Sequence, residues 1–449
     1  MASAAEQLAA SLNLSAFAKA TELKKRIWFT LGALLVYRLG TYIPIPGIDP
    51  GILNQVFSQS AGGILGMFNM FSGGALGRMT VFALNIMPYI SASIIIQLLT
   101  AVSPSLEQLK KEGEAGQRKI NQYTRYGTVL LAVVQSYGIA VGLEGMQAGG
   151  QSAVIDPGLF FRLTTVVTLT CGTVFLMWLG EQITARGVGN GISLIIYAGI
   201  VANLPHALAS TLELGRTGAL STAFIVGFLI MAVAVVAFIV FMEQAHRRIL
   251  IQYPKRQVGN KMFGGDASHL PLKVNSSGVI PPIFASSLLL LPTTIANFAA
   301  NGQSSGWLSR IGAYLAGGTP LFLGLYGGLI IFFTFFYTAI VFNPTETADN
   351  LRKYGGFIPG IRPGKNTADY LDYVLTRLTV VGAIYLAAVC LLPQFLISQY
   401  AVPFYFGGTS LLIVVSVTMD TVAQIQSHLV AHQYEGLIKK ARLRGRRGG

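Results

Sequence analysis

The stretch RMTVFALNIMPYISASIIIQLLT, residues 78–100, decides how the rest of the chain is read. From its charged end to Thr100 it has the length of a bilayer-spanning helix, about 20 apolar residues. Asn85, Pro88, Ser91, Ser93 and Gln97 interrupt the apolar run. Ile86 and Ile90 stand four apart and share one face of the expected helix. Just before it, GGILGMFNMFSGGALGR (62–78) is apolar, broken by glycine and too short to span. A half-length apolar segment feeding a polar-dotted, proline-containing helix points to a path through a membrane rather than a plain anchor.

Composition agrees. The 449 residues are 52% hydrophobic and only 11% charged, with a mean hydropathy of +0.57, too little charge to cover the surface of a soluble chain. Ten spans are expected, near 27–45, 79–101, 127–143, 160–179, 191–209, 220–242, 279–298, 321–342, 376–397 and 405–427. The net charge of +14 is distributed unevenly: of 32 Lys and Arg, 27 fall on the two ends and on alternate loops. Only Arg78, Arg216 and Arg310 fall on the other loops, and Arg38 and Arg162 lie in or beside spans. The positive-inside rule then places both termini in the cytoplasm. Residues 1–26 lack the basic-then-apolar order of a cleavable signal and suit an amphipathic arm on the cytoplasmic face, stopped by Lys24, Lys25 and Arg26. Cys171 and Cys390 lie inside apolar runs and read as packing residues.

Two cytoplasmic loops, 244–278 and 343–377, are long, basic and interrupted by Pro and Gly. The charges either fix topology alone or form a docking surface for a large, partly anionic partner. An internal echo links the two ends of the chain. Pro88-Tyr89-Ile90-Ser91-Ala92-Ser93 and Pro281-Pro282-Ile283-Phe284-Ala285-Ser286 both read P-x-I-x-A-S, each in the second span of a five-span half. An odd number of spans per half gives the two copies opposite orientations, the arrangement of an inverted repeat with a pathway at its interface.

Enzyme chemistry finds little footing. Gly187-Val188-Gly189-Asn190-Gly191 lacks the Lys-Ser/Thr ending of a phosphate loop and leads into span five with Asn190 as its N-cap. His428 and His432 are four apart without a third ligand, so no metal site is expected. No nucleophile–base set and no cofactor motif stands out. A secondary transporter is the competing class, with Arg38, Glu181 and Asp420 as its few ionisable candidates, all towards span ends.

Longer motifs identify a family. IPIPGID (43–49), MFNMFSGGAL (67–76), NIMPYISASIIIQLL, KKEGEAGQRKINQYTRYGT, MWLGEQITARGVGNGISLII, HLPLKVNSSGVIPPIFASS, FNPTETADNLRKYGGFIPGIRPGK and VPFYFGGTSLLIVVSVTMD closely resemble the SecY family of bacterial protein-conducting channels. The resemblance runs from about Leu23 to the tail and is thin in the first twenty residues and around 146–156 and 301–319.

The resemblance implies an all-α, ten-helix membrane protein in two pseudosymmetric inverted halves around an hourglass pore. The expected parts are an arm (1–26), an N-terminal half (27–209), a hinge loop (210–219), a C-terminal half (220–432) and a basic tail (433–449). It implies a ring of Ile86, Ile90, Ile196, Ile283 and Ile413 at the pore's narrowest point. It also implies a plug over 64–77, built from Ile64, Leu65, Met67, Phe68, Asn69, Met70, Phe71, Ser72, Gly73 and Gly74. A lateral gate is implied with Ser91 and Gln97 facing Ser286, Ser287 and Leu291, and a docking surface with Lys255, Arg256 and Arg362. The implied partners are the small subunits SecE and SecG, the motor ATPase SecA, the ribosome, signal sequences and nascent chains, membrane lipids and, further out, SecD/SecF and YidC. The implied location is the bacterial plasma (inner) membrane, and no cofactor or catalytic residue is implied. Pro282 departs from the family, which often has Ala there, and leaves the geometry at Ile283 open.

The chemistry suits such a task. A collar of aliphatic side chains offers no binding partner to any residue type of an unfolded chain. A signal segment that buries ~10 apolar residues at roughly 1.5–3 kcal/mol each could bias a gate strongly towards opening to lipid. The glycines at 62, 63, 66, 73, 74 and 77 suggest a plug with little conformational commitment.

Overall fold

Hydropathy dictates helices, because a backbone in lipid must satisfy its own polar groups. The computed structural model describes residues 21–53, 69, 72–145, 147–148, 151–217, 221–253, 256–258, 261–263, 267–289, 319–400 and 408–445. Its helices are α1 Thr21–Gly40, α2 Met87–Val102, α3 Pro104–Lys111, α4 Glu114–Gly145, α5 Leu159–Arg186 and α6 Gly191–Arg216. They continue with α7 Thr222–Gln244, α8 Ile280–Leu289, α9 Pro320–Val341, α10 Pro344–Lys353, α11 Lys365–Tyr400 and α12 Gly408–Gly445.

Among the described residues seven helices are long and apolar enough to cross a membrane, and α2 with α3 makes an eighth candidate. The first and seventh expected spans meet α1, which carries five charged residues, and α8, whose expected continuation lies outside the described residues. Each of the ten expected spans therefore overlaps a described helix.

Helix ends follow local chemistry. Asn343 Oδ1 accepts from Thr345 N and Glu346 N at the start of α10, with Pro344 in the first position, where no N–H is needed. Asn190 Oδ1 accepts from Ile192 N and Ser193 N, the cap expected for α6. The chain turns by 98° between α2 and α3, where Ser103 is extended ahead of Pro104, as the residue before a proline prefers.

Two compact units are present, the first comprising Met1–Ala92, Gln122–Pro205 and Ile413–Gly449, the second Ser93–Asn121 and His206–Leu412. In the first unit, residues 43–49 form a strap that turns at Pro46–Gly47 and is bonded to two different segments. Ile45 N donates to Met79 O (3.0 Å) and Val81 N to Ile43 O (3.0 Å) on one side, while Asp49 N donates to Ala153 O and Ile155 N to Gly47 O, both 3.1 Å, on the other. Along the first half of α1, Val188 N donates to Thr30 Oγ1, and Gly189 N donates to Gln424 Oε1, beside a buried cluster of Leu23, Val188 and Leu429.

In the second unit, strands β3 (His246–Gln252) and β6 (Ala267–Lys273) pair antiparallel, from His246 opposite Lys273 to Gln252 opposite Ala267. Ile249 and Leu272 of this ribbon pack with Ile358, Leu371 and Val374, and Gln252 exchanges backbone bonds with Phe357. The two basic loops are thus one packed body around its own apolar core. Shorter ribbons, β1 (Gln147–Ala148) with β2 (Gln151–Ser152) and β4 (Arg256–Val258) with β5 (Lys261–Phe263), decorate loops of a helical protein.

Candidate functional site

The stretch 78–100 is not helical from its start. Residues 81–86 run in turns and α2 begins at Met87. Asn85 adopts φ +50°, a left-handed conformation that Asn tolerates better than most residues. Pro88 consequently falls in the first turn of α2, where its missing N–H costs nothing, and it does not break a helix. Ile90 N donates to Ile86 O (3.1 Å), so the two isoleucines are linked across the first turn.

The echo copy is built the same way. Gly278, which aligns with Asn85, has φ +63°, and α8 begins two residues later, as α2 does after Asn85. Pro281 and Pro282 both lie in the first turn of α8, which answers the question raised by Pro282: Ile283 sits in regular helix. Asn275 Nδ2 braces this start, donating to Gly278 O (3.1 Å) and Glu243 Oε1 (2.6 Å).

All five expected ring residues are buried: Ile86 is 1% exposed, Ile90 7%, Ile196 3%, Ile413 1% and Ile283 9%. The first four belong to the first unit and Ile283 to the second. Of the expected gate, Ser91 belongs to the first unit and Gln97, Ser286 and Ser287 to the second, while Leu291 lies outside the described residues. Gln97 Nε2 donates to Ser93 Oγ (3.4 Å) and Ser286 Oγ to Ile283 O (2.9 Å). The Ser286 hydroxyl is thus satisfied along its own helix, whereas Gln97 Oε1 is buried without a hydrogen-bond partner.

Of the expected plug, Asn69, Ser72, Gly73 and Gly74 are described, and Ile64, Leu65, Met67, Phe68, Met70 and Phe71 lie outside the described residues. The described end is closely bonded, in contrast to the loose segment its glycines suggest. Gly74 N donates to Asn69 O (2.7 Å) and Gly77 N to Asn69 Oδ1 (2.6 Å). Ser72 Oγ donates to Asn69 O and accepts from Leu76 N. Tyr37 OH donates to Ser72 O (3.2 Å), and Arg38 Nη1 (2.8 Å) and Arg78 Nη2 (2.9 Å) both donate to Gly73 O. Gly73 has φ +67°, and a Cβ there would stand 3.1 Å from Gly199 Cα of α6, so only glycine fits without strain. Arg38 and Tyr37 were not legible as plug contacts, since 35 residues separate Tyr37 from Ser72.

The expected docking residues are placed only in part. Lys255 lies outside the described residues and Arg256 opens β4. Arg362 is exposed between α10 and α11, in a turn where Gly360 and Gly364 have positive φ and Thr367 Oγ1 donates to Arg362 O (2.9 Å). Glu181, one of the transporter candidates, is held in a two-pronged pair by Arg125 at 2.9 and 2.8 Å.

Comparison with known proteins places this geometry. The SecY family model matches residues 80–422. The chain is 58% identical over 424 residues to the protein translocase subunit SecY of Escherichia coli K12, covering 94% of this chain and 96% of that one. It is 57% identical to the subunits of the same name from Rickettsia conorii (94% and 97% covered) and Vibrio cholerae (95% and 96%). Among solved structures it shares its fold with a protein-conducting channel (TM-score 0.64, 18% identity, 91% and 93% covered). It also shares it with Sec61 of the canine ribosome–channel complex from the endoplasmic reticulum (TM-score 0.60, 17% identity, 91% and 93% covered).

Proposed function

Since this chain belongs to the SecY family, we propose that it is the channel subunit of a bacterial protein translocase. It passes unfolded secretory polypeptides across the plasma membrane and releases apolar segments sideways into the bilayer. The observation that carries this reading is the near-full-length likeness to protein translocase subunits. The described ring and gate residues support it. Buried isoleucines at the ring positions present no charge or hydrogen bond that would retain a passing chain. Ser286 bonds within its own helix, so parting a seam between α2 and α8 does not strand its hydroxyl.

In this reading the chain is a multi-pass protein of the inner membrane with both termini in the cytoplasm. Its halves are 27–209 and 220–432, joined by residues 210–219, the first seven of which continue α6. Arg362, with Lys255 and Arg256, meets the motor SecA or the ribosome. The ribosome-bound relative supports the second partner. SecE and SecG complete the channel, signal sequences and nascent chains pass through it, and SecD/SecF and YidC act beside it. Work is supplied by the partner's nucleotide hydrolysis or by translation.

The test is reconstitution of the full chain with SecE and SecG in vesicles, with SecA and ATP added outside. Import of a precursor into a protease-protected state, dependent on its signal segment, is expected. Absence of import, together with solute flux that tracks protonation of Glu181 or Asp420, would replace the channel with a secondary transporter.

A further inference from the structure

The two arginines on the plug turn are unusual in what they lack. Arg38 and Arg78 converge on a single acceptor, the Gly73 carbonyl. Both guanidiniums also lie over the same ring, Tyr42, at 5.0 and 4.1 Å from its centroid, and Arg38 Nη2 donates to the Tyr42 hydroxyl (2.9 Å). The four ion pairs found among the described residues involve neither arginine. No Asp or Glu occurs between Asp49 and Glu107, so the chain around the turn supplies no carboxylate of its own. Arg78 Nε is buried without a hydrogen-bond partner.

The platform beneath is rigid. Tyr37 stacks on Phe82 (6.2 Å between ring centres) and Phe82 on Phe175 (5.9 Å), which fixes the Tyr37 hydroxyl under Ser72 O. The strap bonds at Met79 and Val81 fix the residues that follow the turn. Between these fixed points the turn over 72–78 has its own bonds to Asn69 and Ser72, and from outside those bonds two like charges that repel each other meet on one shared carbonyl. A carboxylate in place of that carbonyl would make a permanent tie. A neutral carbonyl makes one that is firm at rest and open to competition.

We propose that Arg38 and Arg78 act as a releasable clamp on the Gly73 carbonyl, seating the plug's C-terminal turn and keeping the resting channel sealed. The clamp rests on the channel reading given above. Arg38 and Arg78 are positioning residues: they hold the turn and take no part in binding the passing chain. Geometry makes the two arms separable, because Arg38 reaches the carbonyl from α1 and Arg78 reaches it from within the turn itself.

The test uses the full chain, reconstituted with its small subunits in vesicles, with iodide efflux measured at rest and precursor import measured in the same preparation. Arg38→Gln and Arg78→Gln are each expected to raise resting efflux by roughly tenfold or more, the effect of losing one charged hydrogen bond. Arg38→Lys, which keeps a charged donor, is expected to stay within about threefold of the parent chain. Tyr37→Phe, which deletes only the hydroxyl contact to Ser72 O, is expected to give an intermediate rise. Import by the Gln variants is expected to continue, since the clamp is open during passage. Unchanged efflux in both Gln variants, in vesicles that import normally, overturns the clamp and leaves the channel reading standing. A parent chain that imports nothing overturns the channel reading and the clamp together. Equal leaks in the Gln and Lys variants, with a lowered unfolding temperature in both, also overturn it, because they would mark general damage to the fold.

Discussion

Asn69 offers the sharpest measurement of how firmly the plug turn is seated. Its side-chain oxygen accepts the Gly77 N–H at 2.6 Å, and Gly77 is buried, so no water is at hand to replace it. Asn69→Ala leaves that donor unsatisfied, at a cost of about 1–3 kcal/mol. If the turn is in equilibrium between seated and loosened forms, this converts to a shift of roughly 5- to 150-fold towards the loosened form. Asn69→Asp supplies an oxygen at the same position and is expected to recover most of the loss. Single-channel recording of the reconstituted channel without partner or substrate reads the shift as the fraction of time spent conducting. An Ala variant as quiet as the parent chain would refute the reasoning, as would an Asp variant as leaky as Ala, because then the acceptor is not what seats the turn.

Other perturbations probe the remaining parts. Gly191→Ala would place a Cβ 2.0 Å from the Gly180 carbonyl, a backbone clash where α5 and α6 meet, and is expected to cost about 2 kcal/mol or more, seen as a lowered unfolding midpoint. Ser91→Cys combined with Leu291→Cys is expected to cross-link under oxidation and block export reversibly; rapid export with the bond formed would rule out a gate there. Arg362→Glu, at an exposed turn, is expected to slow partner-driven export while the protein itself inserts normally. Unchanged export kinetics would reduce that charge to a topology signal.

The parts of this protein that answer to lipid and water were legible in the residues alone. The ten expected spans, the uneven Lys and Arg and the cap at Asn190 follow from each side chain's own solvation or from neighbours a few positions away. The P-x-I-x-A-S echo was visible as letters. Tertiary structure then gave it a shared backbone form, with Asn85 and Gly278 left-handed two residues ahead of each helix. Period and hydropathy carry no sign of that, because a turn that stops a span early is apolar like the span. The strap, the paired basic loops and the arginine clamp were decided only by tertiary structure. Arg38 was, from sequence, a stray charge at a span edge, and IPIPGID a motif without a partner. Their roles depend on bonds between distant segments, such as Arg38 to Gly73 across 35 positions, and local pattern does not encode such pairs. Sequence thus determined which segments enter the membrane. Only the folded chain decided which polar groups hold the turn over 72–78 in place, because the choice rests on which acceptor the fold brings within reach of two guanidiniums that form no ion pair among the described residues.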